Sequence, residues 1–285
     1  MFTPDVLAGR VIVITGGGSG LGAAMARRFA ELGAVPVLLG RRREMLDAVA
    51  GEISAAGGRA GAIACDVRDP VRVSAVADEV AARFGRVDAL VNNAAGNFLA
   101  TTEDLSPNGF KSVVDIVLSG TFHCTLYFGR KMIAGGGGAI VNIVTTYAWT
   151  GSAFVVPSAA AKAGVLAMTR SLAVEWACYR VRVNAIAPGP IRTEGAFSRL
   201  LPDPGLEERA RTRVPLGRFG TPREIAAAAA FLLSDGAAYI TGDCLTVDGG
   251  EWLRNGGEFS WGTDYDREDL RTMFRAIRSR EKGGA

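Results

Sequence analysis

The sequence predicts an α/β fold, a doubly wound parallel sheet with helices on both faces, and three observations carry that prediction. Short apolar runs such as Val11–Ile14 and Val35–Leu39 alternate with helix-length segments, and unbroken runs of this kind suit strands buried on both faces. A glycine turn, Thr15-Gly16-Gly17-Gly18-Ser19-Gly20-Leu21-Gly22, stands between the first run and the first helix. Polar or small residues close several later runs, and strand carboxyl ends are where open α/β sheets bind ligands.

Taken in order, the first helix carries Leu21, Ala24, Met25, Phe29 and Leu32 on one face and stops at Gly33. Strand, glycine turn and helix in this sequence predict a dinucleotide site. The glycines let backbone approach a pyrophosphate, and the helix N-terminus offers free N–H groups. The second strand ends at Gly40-Arg41-Arg42-Arg43. An acidic residue there would favour NAD, whereas a guanidinium accommodates the 2′-phosphate of NADP. The third strand, reached from Gly58 through Cys65, is followed by Asp66-Val67, placed to meet an adenine. A helix over about 71–84 leads to the fourth strand, Val87–Val91, which ends in Asn92-Asn93-Ala94-Ala95-Gly96-Asn97-Phe98.

One long helix is expected from about Pro107 to Met132, carrying the lone histidine, His123, which is given no role. The apolar strand about Ile140 runs into Thr145-Thr146-Tyr147, and an alanine-rich helix opens behind Pro157 with Ser158 as its N-cap and Lys162 one turn inside. Val181–Ile186 is a sixth strand ending in Pro188-Gly189-Pro190-Ile191. The long arginine-bearing stretch at about 192–218 reads as a substrate cover. Pro222–Leu233 is a helix and Cys244–Val247 the last strand. A C-terminal extension over about 249–285 ends in a helix with the stripe Leu270, Met273, Phe274 and Ile277.

With 285 residues, 48% of them apolar, and neither repeat nor linker, residues 1–285 read as a single dinucleotide-binding domain. No charge-free run has membrane-span length and no secretory signal opens the chain, so no membrane association is expected. The four cysteines are far apart without a CxxC pair, which suits reduced thiols, a cytoplasmic location and no metal. A net charge of +3 with scattered arginines is too diffuse for a nucleic-acid partner.

The glycine turn, Asn92-Asn93-Ala94-Ala95-Gly96, Lys162 and Pro188-Gly189-Pro190, all in order, resemble the short-chain dehydrogenase/reductase family over about the first 250 residues. The resemblance implies a Rossmann fold. It implies an NADP site at Gly16, Gly18, Ser19, Gly20, Leu21, Arg41, Arg42, Asp66, Val67, Asn93, Ala94, Lys162, Pro188, Gly189, Pro190 and Ile191. The chain departs from the common pattern at three places: Ser158 where a tyrosine stands four before the lysine, Thr145 in place of the usual serine, and Val117 for an asparagine.

One subfamily has this arrangement. Thr145-Thr146-Tyr147, Gly151 to Ser158, Asn97-Phe98, Gly195 to Leu200 and Gly256 to Phe259 together resemble the NADPH-dependent 2,4-dienoyl-CoA reductases of the mitochondrial type. That resemblance implies Tyr147, Asn97, Lys162 and Ser158 as catalytic residues, and reduction of dienoyl-CoA to 3-enoyl-CoA in fatty acid β-oxidation. It implies a coenzyme A path along Arg41, Arg68, Phe98, Ser106 and Arg199, and a homotetramer built on the long helix and its neighbour. Arg41 could serve NADP, coenzyme A or both. The competing readings are a 3-oxoacyl-thioester or carbonyl reductase of the same family and an NADP-binding pseudoenzyme.

Overall fold

The computed structural model describes residues 3–193, 204–257 and 260–283. Seven strands form its sheet: β1 (Val11–Thr15), β2 (Val35–Gly40), β3 (Gly61–Ala64), β4 (Ala89–Asn92), β5 (Gly138–Ile143), β6 (Val181–Pro188) and β7 (Cys244–Val247). They lie in the order β3-β2-β1-β4-β5-β6-β7, and every pairing is parallel. This is the Rossmann-type doubly wound sheet the sequence predicts.

The period of two along β1 explains why its run is wholly apolar. Ile12 and Ile14 join one core layer with Met25, Phe29 and Ile225, while Val11 and Val13 join another with Val73, Val80 and Phe128. The first layer is covered by α1 (Gly20–Glu31), α2 (Arg43–Ala55) and α9 (Pro222–Leu233). The second is covered by α3 (Pro70–Phe84), α5 (Gly120–Ala134) and the end of α7 (Val156–Glu175). The chain winds outward from β1 to β3, then returns to β4 on the other side of β1. That reversal opens a crevice at the carboxyl ends of β1 and β4, where the glycine turn meets the asparagine cluster.

Three local expectations change. The helix expected across Pro107 to Met132 is α4 (Pro107–Val114) and α5 joined by a wider π turn at Asp115–Ser119. The Thr121 hydroxyl donates to the Val117 carbonyl at 2.6 Å inside it, the kind of side-chain bond that competes with the backbone ladder. A short helix, α6 (Tyr147–Thr150), fills the expected loop after β5. Ser158 is not the N-cap of α7: the helix begins at Val156 with Val155 in the cap position. Proline is tolerated in a first turn, where its missing N–H costs nothing, so the helix runs through Pro157 and turns Ser158 inward.

Of the 192–218 stretch, residues 194–203 lie outside the described residues; α8 (Pro204–Thr212) follows them. The C-terminal extension lies against the subunit. On α10 (Glu251–Gly256), Trp252 packs edge-on to Trp149 of α6 with ring centroids 5.5 Å apart. Arg254 donates to the Thr212 carbonyl and pairs with Asp264. On α11 (Arg267–Gly283), Leu270 is buried and Phe274 exposed, while the Ile277 side chain lies outside the described residues. No helix among the described residues is long and apolar enough to cross a membrane.

Candidate active site

The crevice begins where β1 ends. Gly16 has φ +67°, a conformation glycine adopts without strain, and a Cβ on Gly22 would meet the Gly16 carbonyl at 2.2 Å. The turn therefore closes tightly on the start of α1, which has no acidic residue in its first turn and no side-chain cap from Ser19. Its leading N–H groups remain available to an anion. Thr15 fixes the opposite wall: its Oγ1 accepts from the N–H groups of Asn93 and Ala94, both at 2.9 Å. Asn93 answers by donating to the Thr15 carbonyl at 2.9 Å.

A cavity of about 250 Å³ lies between these walls, lined by Gly16, Gly18, Ser19, Arg41, Arg42, Asp66, Val67, Asn93 and Ala94. Nine residues assigned from sequence to one molecule thus meet in one place. The three arginines after β2 divide. Arg43 pairs with Asp47 one turn along α2, whereas among the described residues the guanidiniums of Arg41 and Arg42 make no hydrogen bond or ion pair, the Arg41 charge acting only at longer range on Asp66. Two unpaired guanidiniums beside free helix N–H groups fit a phosphate-bearing dinucleotide. Pro188 to Ile191 are held at the end of β6, where the Gly189 N–H donates to Val247 and the Pro190 carbonyl accepts from Gly220.

Sequence reasoning missed Thr15 as a positioning residue, and missed Met45, Leu46, Cys65, Ala95 and Ile116 in the lining. The threonine closes the strand before the glycine turn, which was the available signal. The others are apolar or small residues whose inward aim only the fold sets. Burial pushes the Cys65 thiol up to about 11, which keeps it protonated at neutral pH.

At the other end, Tyr147 and Ser158 meet: the tyrosine hydroxyl and the serine Oγ are 3.1 Å apart. Lys162 is one helical turn on and 7% exposed, and its Nζ donates to the Ile143 carbonyl. Burial pushes this ammonium down to about 8. Ser158 was expected beside Lys162; its bond in this structure is with Tyr147. Asn97 accepts from the Phe98 N–H through its Oδ1 at 3.0 Å, which leaves its amide N–H₂ to donate. The Ala100 N–H donates to the Phe154 carbonyl at 3.0 Å, tying the Asn97 segment to the loop between α6 and α7. The segments that carry Tyr147 and Asn97 are therefore joined to one another.

The residues assigned to coenzyme A are less gathered. Arg68 is bound to Asp66 through three nitrogen–oxygen contacts, at 3.0, 3.0 and 2.5 Å. That guanidinium holds the Asp66 carboxyl below the ordinary carboxylate range. Ser106 is the N-cap of α4, its Oγ accepting from the Gly109 N–H at 3.0 Å. Gly109 also has the Phe98 ring beside it. Arg199, Gly195 to Leu200, and Glu258 and Phe259 lie outside the described residues. His123 is occupied: its Nδ1 is 2.9 Å from the Val67 carbonyl.

Comparison with known proteins agrees with this geometry. The profile of the family described as Enoyl-(Acyl carrier protein) reductase matches residues 16–251. The chain is 51% identical over 246 residues to a protein of Bacillus subtilis (strain 168) named a probable 2,4-dienoyl-CoA reductase, (2E)-enoyl-CoA-producing; 86% of this chain and 97% of that protein are covered. It is 40% identical over 290 residues to the peroxisomal 2,4-dienoyl-CoA reductase, (3E)-enoyl-CoA-producing, of Arabidopsis thaliana, covering 99% of this chain and 95% of the other. Among solved structures, a short chain dehydrogenase from Bacillus anthracis superposes with TM-score 0.80 at 48% identity, over 87% of this chain and 98% of that one. A gluconate 5-dehydrogenase from Burkholderia cenocepacia in complex with NADP and tartrate superposes with TM-score 0.83 at 33% identity, over 87% and 98%. The chain uses a nicotinamide cofactor and belongs to the short-chain dehydrogenase/reductase family of oxidoreductases.

Proposed function

We propose that the chain reduces 2,4-dienoyl-CoA to 3-enoyl-CoA with NADPH, a step in the β-oxidation of unsaturated fatty acids. One observation carries this reading: the side chain four residues before Lys162 is a serine, and it is bonded to Tyr147, which arrives from another helix. A hydroxyl that steadies charge on a thioester oxygen, and need not leave its proton there as it would on a ketone oxygen, can occupy such a position. The names of the Bacillus subtilis and Arabidopsis thaliana relatives support the same substrate class.

NADPH, when bound, supplies the hydride. Arg41 and Arg42 would hold the 2′-phosphate, Gly16, Gly18, Ser19, Gly20 and Leu21 the pyrophosphate, and Asp66 and Val67 the adenine. Asn93, Ala94 and Pro188 to Ile191 would line the nicotinamide half, whose ribose Lys162 would hold through its hydroxyls. Support for NADP comes from the unpaired Arg41 and Arg42 and from the NADP in the Burkholderia cenocepacia relative.

Reduction at the far end of the conjugated system sends negative charge to the thioester oxygen. Tyr147 and Asn97 donate to that oxygen as an oxyanion hole, and Ser158 orients the tyrosine. A donor placed this way typically contributes about 10²–10³ in rate, roughly 3–4 kcal/mol. Protonation of the resulting dienolate next to the carbonyl gives the 3-enoyl product, which the Arabidopsis thaliana name states. Protonation two carbons further out gives the 2-enoyl product of the Bacillus subtilis name.

Arg41, Arg68 and Arg199 carry the phosphates of coenzyme A, with Phe98 and Ser106 along the acyl-pantetheine portion. The chain acts as a single NADP-binding domain, with 192–218 covering the substrate. It assembles as a homotetramer through the long helix formed by α4 and α5 and its neighbour α7, and works in the cytoplasm, where its four free cysteines stay reduced. The test is NADPH oxidation with a 2,4-dienoyl-CoA, a 3-oxoacyl-CoA and a simple ketone side by side, with the double bond of the product placed by NMR. Turnover of the dienoyl-CoA alone supports the reading. Preference for the 3-oxoacyl-CoA or the ketone replaces it with carbonyl reduction.

A further inference from the structure

Phe154 is held in an uncommon state. It has φ +65°, in the left-handed region, and among the described residues only Arg180 is another non-glycine residue with positive φ. Arg180 closes a short helical turn, a usual place for that conformation. For a bulky aromatic residue the left-handed region is an outlier. Phe154 also leaves 58% of its surface in solvent. Backbone strain opposes folding and a ring left largely in water contributes little to it, so the folded chain gains little from having phenylalanine here. Strained residues of this kind gather at ligand clamps.

The surroundings say what is clamped. The Phe154 carbonyl is bonded to the Ala100 N–H, which fixes its loop against the Asn97 segment. On that segment Phe98 is 39% and Leu99 51% exposed, and two residues after Phe154, at the start of α7, Val156 is 39% exposed. These four side chains flank the segments that carry the two oxyanion donors, and they offer carbon only. Pantetheine has two amides that need partners, and the phosphates of coenzyme A need the arginines. A hydrocarbon chain needs neither.

We infer that Phe154, with Phe98 on the segment bonded to its loop, grips the acyl chain of the thioester and sets chain-length preference. The inference rests on the dienoyl-CoA reading of the site. A methylene moved from water into such a grip changes affinity about three- to four-fold.

The experiment measures kcat/KM over a series of 2,4-dienoyl-CoA thioesters of increasing length for wild type, Phe154→Gly and Phe154→Leu, with Tm and oligomeric state for each. Glycine accepts φ +65° without strain, so Phe154→Gly should keep the fold and the NADPH affinity. The expected result is a rise of up to about three- to four-fold per methylene in wild type, a nearly flat series in Phe154→Gly and an intermediate one in Phe154→Leu. Equal slopes in wild type and Phe154→Gly overturn the inference and leave the dienoyl-CoA reading standing. So does a collapse of Tm or of assembly in Phe154→Gly that accounts for its loss of activity, since the ring would then be structural. No turnover of any dienoyl-CoA by wild type overturns both.

Discussion

The hydroxyl of Tyr147 lies 3.1 Å from Oγ of Ser158, so the residue standing where the family commonly has its tyrosine is bonded to the tyrosine proposed to act in its place. Ser158 is 2% exposed and makes a single bond to a group that can also reach its ligand. Ser158→Ala should lower kcat for dienoyl-CoA several-fold, the effect of one net hydrogen bond of about 1 kcal/mol, and leave NADPH affinity unchanged. Ser158→Tyr places a ring in a filled interior, where overpacking costs about 1–3 kcal/mol or more. It should lower Tm and create no ketone reductase. Thermal melts and steady-state rates on both variants check these outcomes.

The guanidiniums of Arg41 and Arg42 line the cavity with no hydrogen bond or ion pair among the described residues, whereas Arg43 is paired to Asp47. NADPH should therefore bind at least about ten-fold more tightly than NADH, since a charge-assisted pair contributes roughly 1.5–3 kcal/mol. Arg41→Ala should erode most of that preference. Fluorescence titration with both nucleotides measures it, and equal affinities in wild type would remove the assignment of these arginines to the 2′-phosphate.

Lys162 gives the site a pH limit. Burial brings its ammonium down to about 8 in the free protein, from 10.5 in an exposed lysine. The charged donor is present below that value and is lost as pH rises through it. NADPH affinity and kcat/KM should accordingly fall above about pH 8, while bound NADPH, which favours the ammonium, moves the limit in kcat higher. The sign for stability is opposite. Between about 8 and 10.5 the unfolded chain binds the proton and the folded chain does not, so this group alone makes the apoprotein more stable as pH rises. A kcat/KM profile flat from pH 7 to pH 10 would show that the ammonium is not needed.

Gly22 marks the tightest point of the phosphate turn, with the Gly16 carbonyl 2.2 Å from where a Cβ would stand. Backbone cannot yield there without moving the turn off α1. Gly22→Ala should abolish measurable NADPH binding and lower Tm, whereas Gly51→Ala, in the middle of α2 with open space around it, should be stabilising by roughly 0.5–1 kcal/mol. Comparing the two variants by melting and titration separates the local clash from a general effect of adding a methyl group.

Much of this was legible in the sequence because the signals are local. Cys244–Val247 and Pro222–Leu233 have the same bounds in sequence and structure: the strand is a short apolar run, and the helix opens on a Thr221/Glu224 capping box. The cofactor crevice was legible for the same reason, since turn, helix start and strand ends are each contiguous motifs. What was not legible depends on contacts between segments or on competition within one. The π turn at Asp115–Ser119 comes with a side-chain bond from Thr121. Ser158 has the composition of a cap, but Pro157 lets α7 begin earlier. The Asp66–Arg68 pair joins two residues that sequence had given to different ligands, and the backbone of Phe154 is set by its bond to Ala100.

The most direct test of the account is single-turnover reduction of a 2,4-dienoyl-CoA by enzyme already loaded with NADPH, in wild type, Tyr147→Phe, Asn97→Ala and the double variant. Tyr147→Phe removes one donor to the thioester oxygen and no proposed cofactor contact. It should bind NADPH as wild type does and react about 10²–10³ more slowly. Asn97→Ala should do the same, and the double variant should fall short of the product of the two, because both donors serve one oxygen. Near-wild-type rates in Tyr147→Phe, together with loss of turnover in Ser158→Ala, would contradict the account and move the chemistry to the serine beside the lysine.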